Sequence, residues 1–215
     1  MTDTLIQYGP WHIQNGFERP TNSVTLFQDY QPSERISLFL TQTKLTSYQQ
    51  KKNIEEWRQK LPELKEVKFL WLPSKVNQKI FDSICEMTNL EGLWIKWSGI
   101  KNIDGLVKLK KLKHFHLGSS SQVQSIDILE IMKCLETLEL EQLNLITDFS
   151  ALKYLINLKG LGIDGSMWTA QKIESLKPIG QLYQLQYLTT TNTQILDKSF
   201  DPLLNLTELV RFNSS

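Results

Sequence analysis

The sequence predicts an α/β solenoid, with a curved parallel β-sheet on the concave face, 3₁₀ or short helical returns on the convex face, and an N-terminal α+β cap. Three observations lead to this. From residue 64 onward apolar residues recur at every third position, and each unit closes in an apolar-x-apolar pair. The first members of those pairs are Leu70, Leu93, Phe115, Leu138, Leu161, Leu188 and Phe212, separated by 23, 22, 23, 23, 27 and 24 residues. The composition, 40% hydrophobic and 22% charged, supplies enough apolar material for a continuous core.

Each part of the unit has a physical reading. A spacing of three matches the three residues per turn of a 3₁₀ segment. The apolar-x-apolar piece has period two and reads as a short strand with one buried face. One strand with one tight return cannot bury its apolar side alone, so successive units must stack.

This pattern resembles the leucine-rich-repeat family, in particular its short, internalin-like bacterial subclass of about 22 residues per unit. The resemblance covers residues 64–215, about seven repeats. The family's asparagine, three residues after the strand pair, is replaced here by Lys75, Ser98, Ser120, Leu143, Ser166 and Thr193. Serine and threonine hydroxyls can supply part of its backbone hydrogen bonding.

Residues 1–63 do not keep the repeat and are expected to form the cap. Arg35–Leu40 has strand character and can pair ahead of the Leu70 strand. Residues 46–61 read as a helix, with Ser47 and Gln50 at capping-box spacing, Ile54, Trp57 and Leu61 on its apolar face, and Pro62 limiting its extension. Leu5–Tyr8 and Trp11–Gln14 are strand-like and precede an Asn15-Gly16 turn.

With 24 Lys+Arg against 23 Asp+Glu the net charge is +1, which removes the phosphate attraction that nucleic-acid binders rely on. Two cysteines make no disulfide scaffold, and no apolar run approaches the roughly 18 residues of a membrane span. The first residues lack the basic and apolar regions of a signal peptide. The expectation is a soluble, cytoplasmic protein binding neither nucleic acid nor membrane.

Side chains flanking and separating the buried pairs point to the concave face. Eleven are expected to contact a partner there: Phe69, Trp71, Trp94, Lys96, His114, His116, Glu139, Glu141, Asp164, Tyr187 and Arg211. Two readings of the Trp71–Trp94 pair stand: the cap folds over the rings, or the rings anchor a partner, the role in which tryptophan is most enriched. Glu139, Glu141 and Asp164 form an acidic patch suited to a basic partner. His114 and His116 with the two glutamates have some zinc-ligand character, but the spacing is loose and no metal is expected.

Gly160-Leu-Gly-Ile-Asp-Gly165 matches a dinucleotide fingerprint, yet Leu161 and Ile163 are themselves the buried strand pair, so no cofactor is expected. No activated nucleophile can be placed, and Cys85 and Cys134 read as structural thiols. The expected function is a non-catalytic protein-interaction module, specifically an inhibitor or immunity-type protein against a basic toxin or enzyme. The competing expectation is a scaffold that self-associates through an exposed sheet edge.

Overall fold

The computed structural model describes residue 20 and residues 22–214 of the chain. The strand-like segments expected before Asn15-Gly16 lie outside the described residues. Eleven strands are described: β1 (Ser23–Val24), β2 (Arg35–Leu38), β3 (Phe69–Leu72), β4 (Gly92–Ile95), β5 (His114–Leu117), β6 (Thr137–Glu141), β7 (Gly160–Asp164), β8 (Gln171–Ile173), β9 (Tyr187–Thr189), β10 (Thr193–Ile195) and β11 (Arg211–Asn213). Nine form one parallel sheet in the order β1-β2-β3-β4-β5-β6-β7-β9-β11, while β8 and β10 pair separately.

The register follows the repeat phase. Leu70 pairs with Leu93, Leu93 with Phe115, Phe115 with Leu138, Leu138 with Leu161, Leu161 with Leu188, and Leu188 with Phe212. All except Phe212 are buried, and together with the returns they form one core running the length of the solenoid. The sheet also continues past the first recognisable unit. Ile36 pairs with Leu70 in the same phase, so the 63/64 position falls inside one continuous sheet.

The returns change character along the chain. Behind β2 lies helix α1 (Ser47–Lys60), and behind β3 lies α2 (Gln78–Ile84). From β4 onward they are 3₁₀ turns, such as Asp104–Lys108, Asp127–Ile131 and Ser150–Tyr154. The capping box of α1 is one residue earlier than sequence spacing suggested. Thr46 is the cap, its hydroxyl accepting from the Gln49 amide while the Gln49 side chain accepts from the Thr46 amide. Both pairs have the required spacing, and the backbone turn decides between them.

The missing asparagine ladder is replaced piecemeal. Ser98 and Ser120 bond to each other at 2.7 Å, and the Thr193 hydroxyl donates to the Ile163 carbonyl at 2.9 Å. At Leu143, which has no polar side chain, Gln171 reaches back from the next repeat. Its carbonyl accepts from the Leu143 amide and its amide donates to the Ile146 carbonyl, both at 2.8 Å. Backbone groups at these positions thus find partners although the family residue is absent.

Candidate functional site

The concave face carries the expected columns. Ser37, Trp71, Trp94, His116, Glu139, Gly162 and Thr189 are neighbours across successive strands. Arg35, Phe69, Gly92, His114, Thr137, Gly160, Tyr187 and Arg211 form the flanking column. Parallel pairing at roughly 4.8 Å stacks the rings flat. Trp71 lies 4.3 Å from Trp94 at 14°, and Trp94 lies 4.9 Å from His116 at 9°. Arg35 sits over the Phe69 ring at 4.7 Å.

Of the eleven residues expected to contact a partner, seven are buried. Trp71 is 5% exposed, Phe69 8%, His114 2%, His116 5%, Glu139 5%, Tyr187 3% and Asp164 9%. Trp94 and Glu141 are half-buried, and only Lys96 and Arg211 of the eleven residues are exposed. Alternation along a strand tells which face a side chain takes; it carries no information on whether that face is covered.

Burial sets the electrostatics. Desolvation pulls the His114 and His116 imidazoles down to about 4, favouring their neutral forms. Desolvation also raises Glu139 well above the usual carboxylate range, reinforced by the neighbouring Asp164 and Glu141. Glu141 and Asp164 are raised for the same first reason, although the Thr191 amide and the Thr189 hydroxyl donate to the Asp164 carboxylate. His116 Nδ1 lies 3.0 Å from Glu139 Oε2, but the approach is not aligned as a hydrogen bond. Trp94 Nε1 and Tyr187 OH are buried and have no hydrogen-bond partner among the described residues. Three carboxylates face each other with no lysine or arginine paired to them among the described residues.

The glycines of the decoy motif have a packing role. A Cβ at Gly162 would stand 2.9 Å from both the Glu139 Cγ and the Thr189 Oγ1, so the bare position lets those side chains close over β7. A Cβ at Gly165 would stand 2.2 Å from the Asn192 carbonyl oxygen and 2.7 Å from that of Thr169. Backbone cannot yield as a side chain can. Gly165→Ala is therefore expected to destabilise the protein by about 1–3 kcal/mol, measurable as a lowered denaturation midpoint. An unchanged midpoint would contradict this close approach. After β7 the chain enters a loop, without the helix start that dinucleotide binding requires.

That loop is the feature sequence reasoning passed over. The 27-residue interval between Leu161 and Leu188 is the longest of the repeat series, and the added length falls after β7. It presents Met167 at 84% and Trp168 at 88% exposure. The loop is tied down. Ser166 Oγ accepts from the Trp168 and Thr169 amides, and the Asn192 side chain donates to the Ser166 carbonyl at 2.6 Å. The Ser166 amide donates to the Thr169 carbonyl and the Gln171 amide to the Asn192 carbonyl. The long interval and the Met-Trp pair in a polar stretch were the signals available beforehand.

Among the described residues no group of His, Cys, Asp and Glu has a geometry that could hold a metal ion, and no helix is long and apolar enough to cross a membrane. Cys85 is buried and pushed up to about 12 by desolvation; Cys134 is exposed.

No family model and no curated protein matches the chain. Solved structures do. Internalin C2 of Listeria monocytogenes is 26% identical over 65% of this chain and 65% of its own, with a TM-score of 0.53. A leucine-rich-repeat protein of Leptospira interrogans is 22% identical over 72% of this chain and 46% of its own, at 0.54. The plant peptide hormone receptor RGFR1, solved in complex with RGF2, is 15% identical over 90% of this chain and 30% of its own, at 0.55. The latter two identities speak for the fold alone, and the chain spans less than two-thirds of each neighbour's length. With units of 22 to 27 residues held in register across one parallel sheet, the chain has the leucine-rich-repeat solenoid fold and is similar to the internalins.

Proposed function

We propose that the chain is a non-catalytic protein-interaction module whose open contact surface is the rim loop carrying Met167 and Trp168. The carrying observation is their exposure on a loop held by its own hydrogen bonds. A large ring kept in water on a rigid loop costs little ordering entropy on binding, and insertions in repeat proteins collect on the binding face. The finer reading is a cytoplasmic inhibitor or immunity-type protein acting on a basic toxin or enzyme. It is supported by the acidic flank around β6, where Asp127, Glu130 and Asp148 are exposed, in place of the buried Glu139, Glu141 and Asp164.

Self-association is favoured by a different observation. Residues Arg211–Asn213 of β11 are all exposed, and the Phe200 and Phe212 rings stand 6.1 Å apart at that edge, 47% and 37% exposed. One experiment separates the readings. The tagged protein and its Trp168→Ala variant are used to capture partners, with solution mass measured against concentration. The expected result is a near-stoichiometric protein whose affinity falls at least thirtyfold in the variant, about 2 kcal/mol. Equal capture by both proteins would remove the loop from the contact. A concentration-dependent mass abolished by Phe212→Lys, with no partner captured, would establish the edge reading instead.

A further inference from the structure

The returns leading into β6, β7 and β9 carry an apolar patch that the repeat does not require. Two rows of the unit make it. In the first, successive units hold Lys108, Ile131, Tyr154, Gln181 and Asn205; two residues later they hold Lys110, Lys133, Ile156, Tyr183 and Thr207. Both rows accept polar side chains, so Ile131, Tyr154, Ile156 and Tyr183 are apolar by choice and confined to three consecutive units. They stand in water, 54%, 41%, 57% and 62% exposed. The 3₁₀ turns that set them, Asp127–Ile131, Ser150–Tyr154 and Ile179–Gln181, follow one another along the back of the sheet. Lys153 Nζ lies over the Tyr154 ring at 4.9 Å and helps hold it in place. Single exposed apolar residues are ordinary, whereas four on adjacent units mark a contact surface.

We propose that this patch pairs two copies of the chain about a twofold axis. Between the two rows runs a third, Met132, Leu155 and Leu182, all buried. A twofold axis lying in the surface along that buried row sets the first row of one copy against the second row of the other. Tyr154 then meets Ile156 across the axis, twice, at the centre of the contact. On one side Ile131 meets the aliphatic stem of Lys133, and on the other Tyr183 meets the Gln181 amide. The surface is thus complementary to itself, as a twofold interface must be, and none of these pairs opposes like charges.

The area agrees. The four side chains expose roughly 400 Å² in each copy, within the range of functional patches. Two copies therefore bury about 800 Å² from these residues alone, and the bordering polar side chains take the contact past the about 1,000 Å² of a specific interface. A contact of this size belongs to the weaker, reversible class. Met167 and Trp168 follow β7, whereas the patch precedes β6, β7 and β9, so this pairing leaves both rim loops open. It uses a different face from the β11 edge and does not depend on the rim-loop reading.

Sedimentation equilibrium of the full chain, up to about 100 µM, tests the pairing. The expected mass rises with concentration from one 25.0 kDa chain towards two. Tyr154→Lys and Ile156→Glu, each at an exposed position, should each weaken self-association at least tenfold, because each buries an unpaired charge at the centre. Mixed together, the two variants should associate again: the new lysine of one meets the new glutamate of the other, and the second Tyr154–Ile156 contact is unchanged. A mass that stays at one chain for the original protein would overturn the proposal. So would single variants that associate as the original does, or a mixture that associates no better than its components. Association abolished by Phe212→Lys would assign it to the β11 edge and overturn the proposal as well.

Discussion

Trp57→Ala is expected to lower the stability of the protein by about 3–5 kcal/mol, the range for removing a large buried aromatic. Trp57 is fully buried on α1, against the sheet's first strands. Its Nε1 donates to the Thr25 carbonyl at 2.8 Å, and Asn53 donates to the same oxygen at 2.9 Å. Phe27 and Tyr30 meet the indole edge-on, with centroids 5.2 and 6.1 Å away. The substitution leaves a cavity and also frees one side of a shared acceptor. Against the 5–15 kcal/mol typical of a domain this is a large fraction, so the urea midpoint should fall steeply. A loss below about 1 kcal/mol would mean that α1 is not an integral return of the solenoid.

Acid should destabilise the protein through His114 and His116. Both are held down to about 4 by burial, against 6.5 in the unfolded chain. The unfolded state binds protons first, so this contribution is fully present above about pH 6.5 and is lost as pH falls through about 4. The difference corresponds to about 3 kcal/mol per imidazole. The groups facing them act in several senses. Glu141 and Asp164 raise His116 against its burial, while around His114 the carboxylates Glu136 and Glu91 raise it and Lys113 and Lys159 lower it.

Glu139, Glu141 and Asp164 have raised values and therefore work in the opposite direction, stabilising the fold at low pH and losing that contribution as pH rises through their folded values. The imidazole part is isolated by the double variant His114→Gln, His116→Phe, which keeps a ring on Trp94 but cannot titrate. Between pH 6.5 and 4 the original protein should lose stability relative to this variant. Parallel stability profiles for the two would show that the imidazoles are accessible to protons in the fold.

The phase of Leu70 through Phe212 was legible because strand pairing and burial both follow from local spacing. A period of two next to a period of three leaves one way to stack, and the structure adopts it. The same spacing placed Trp71, Trp94, His116 and Glu139 in one column and made the glycine motif a strand. Leu143 was legible only as a gap. Its rescue by Gln171 depends on a side chain 28 residues away, which no local rule reaches. Thr46 rather than Ser47 as the helix cap is a smaller case, decided by backbone geometry between two equivalent spacings.

By itself the sequence therefore determined the solenoid, its register, and which residues share its concave face, because those depend on neighbours along the chain and on repeated apolar contact. Only the tertiary structure decided that most of these concave side chains are buried, that burial lowers the histidines and raises the carboxylates, and that Met167 and Trp168 stand in the open. Exposure and desolvation are sums over everything packed nearby, and distant segments of chain enter those sums as fully as adjacent ones.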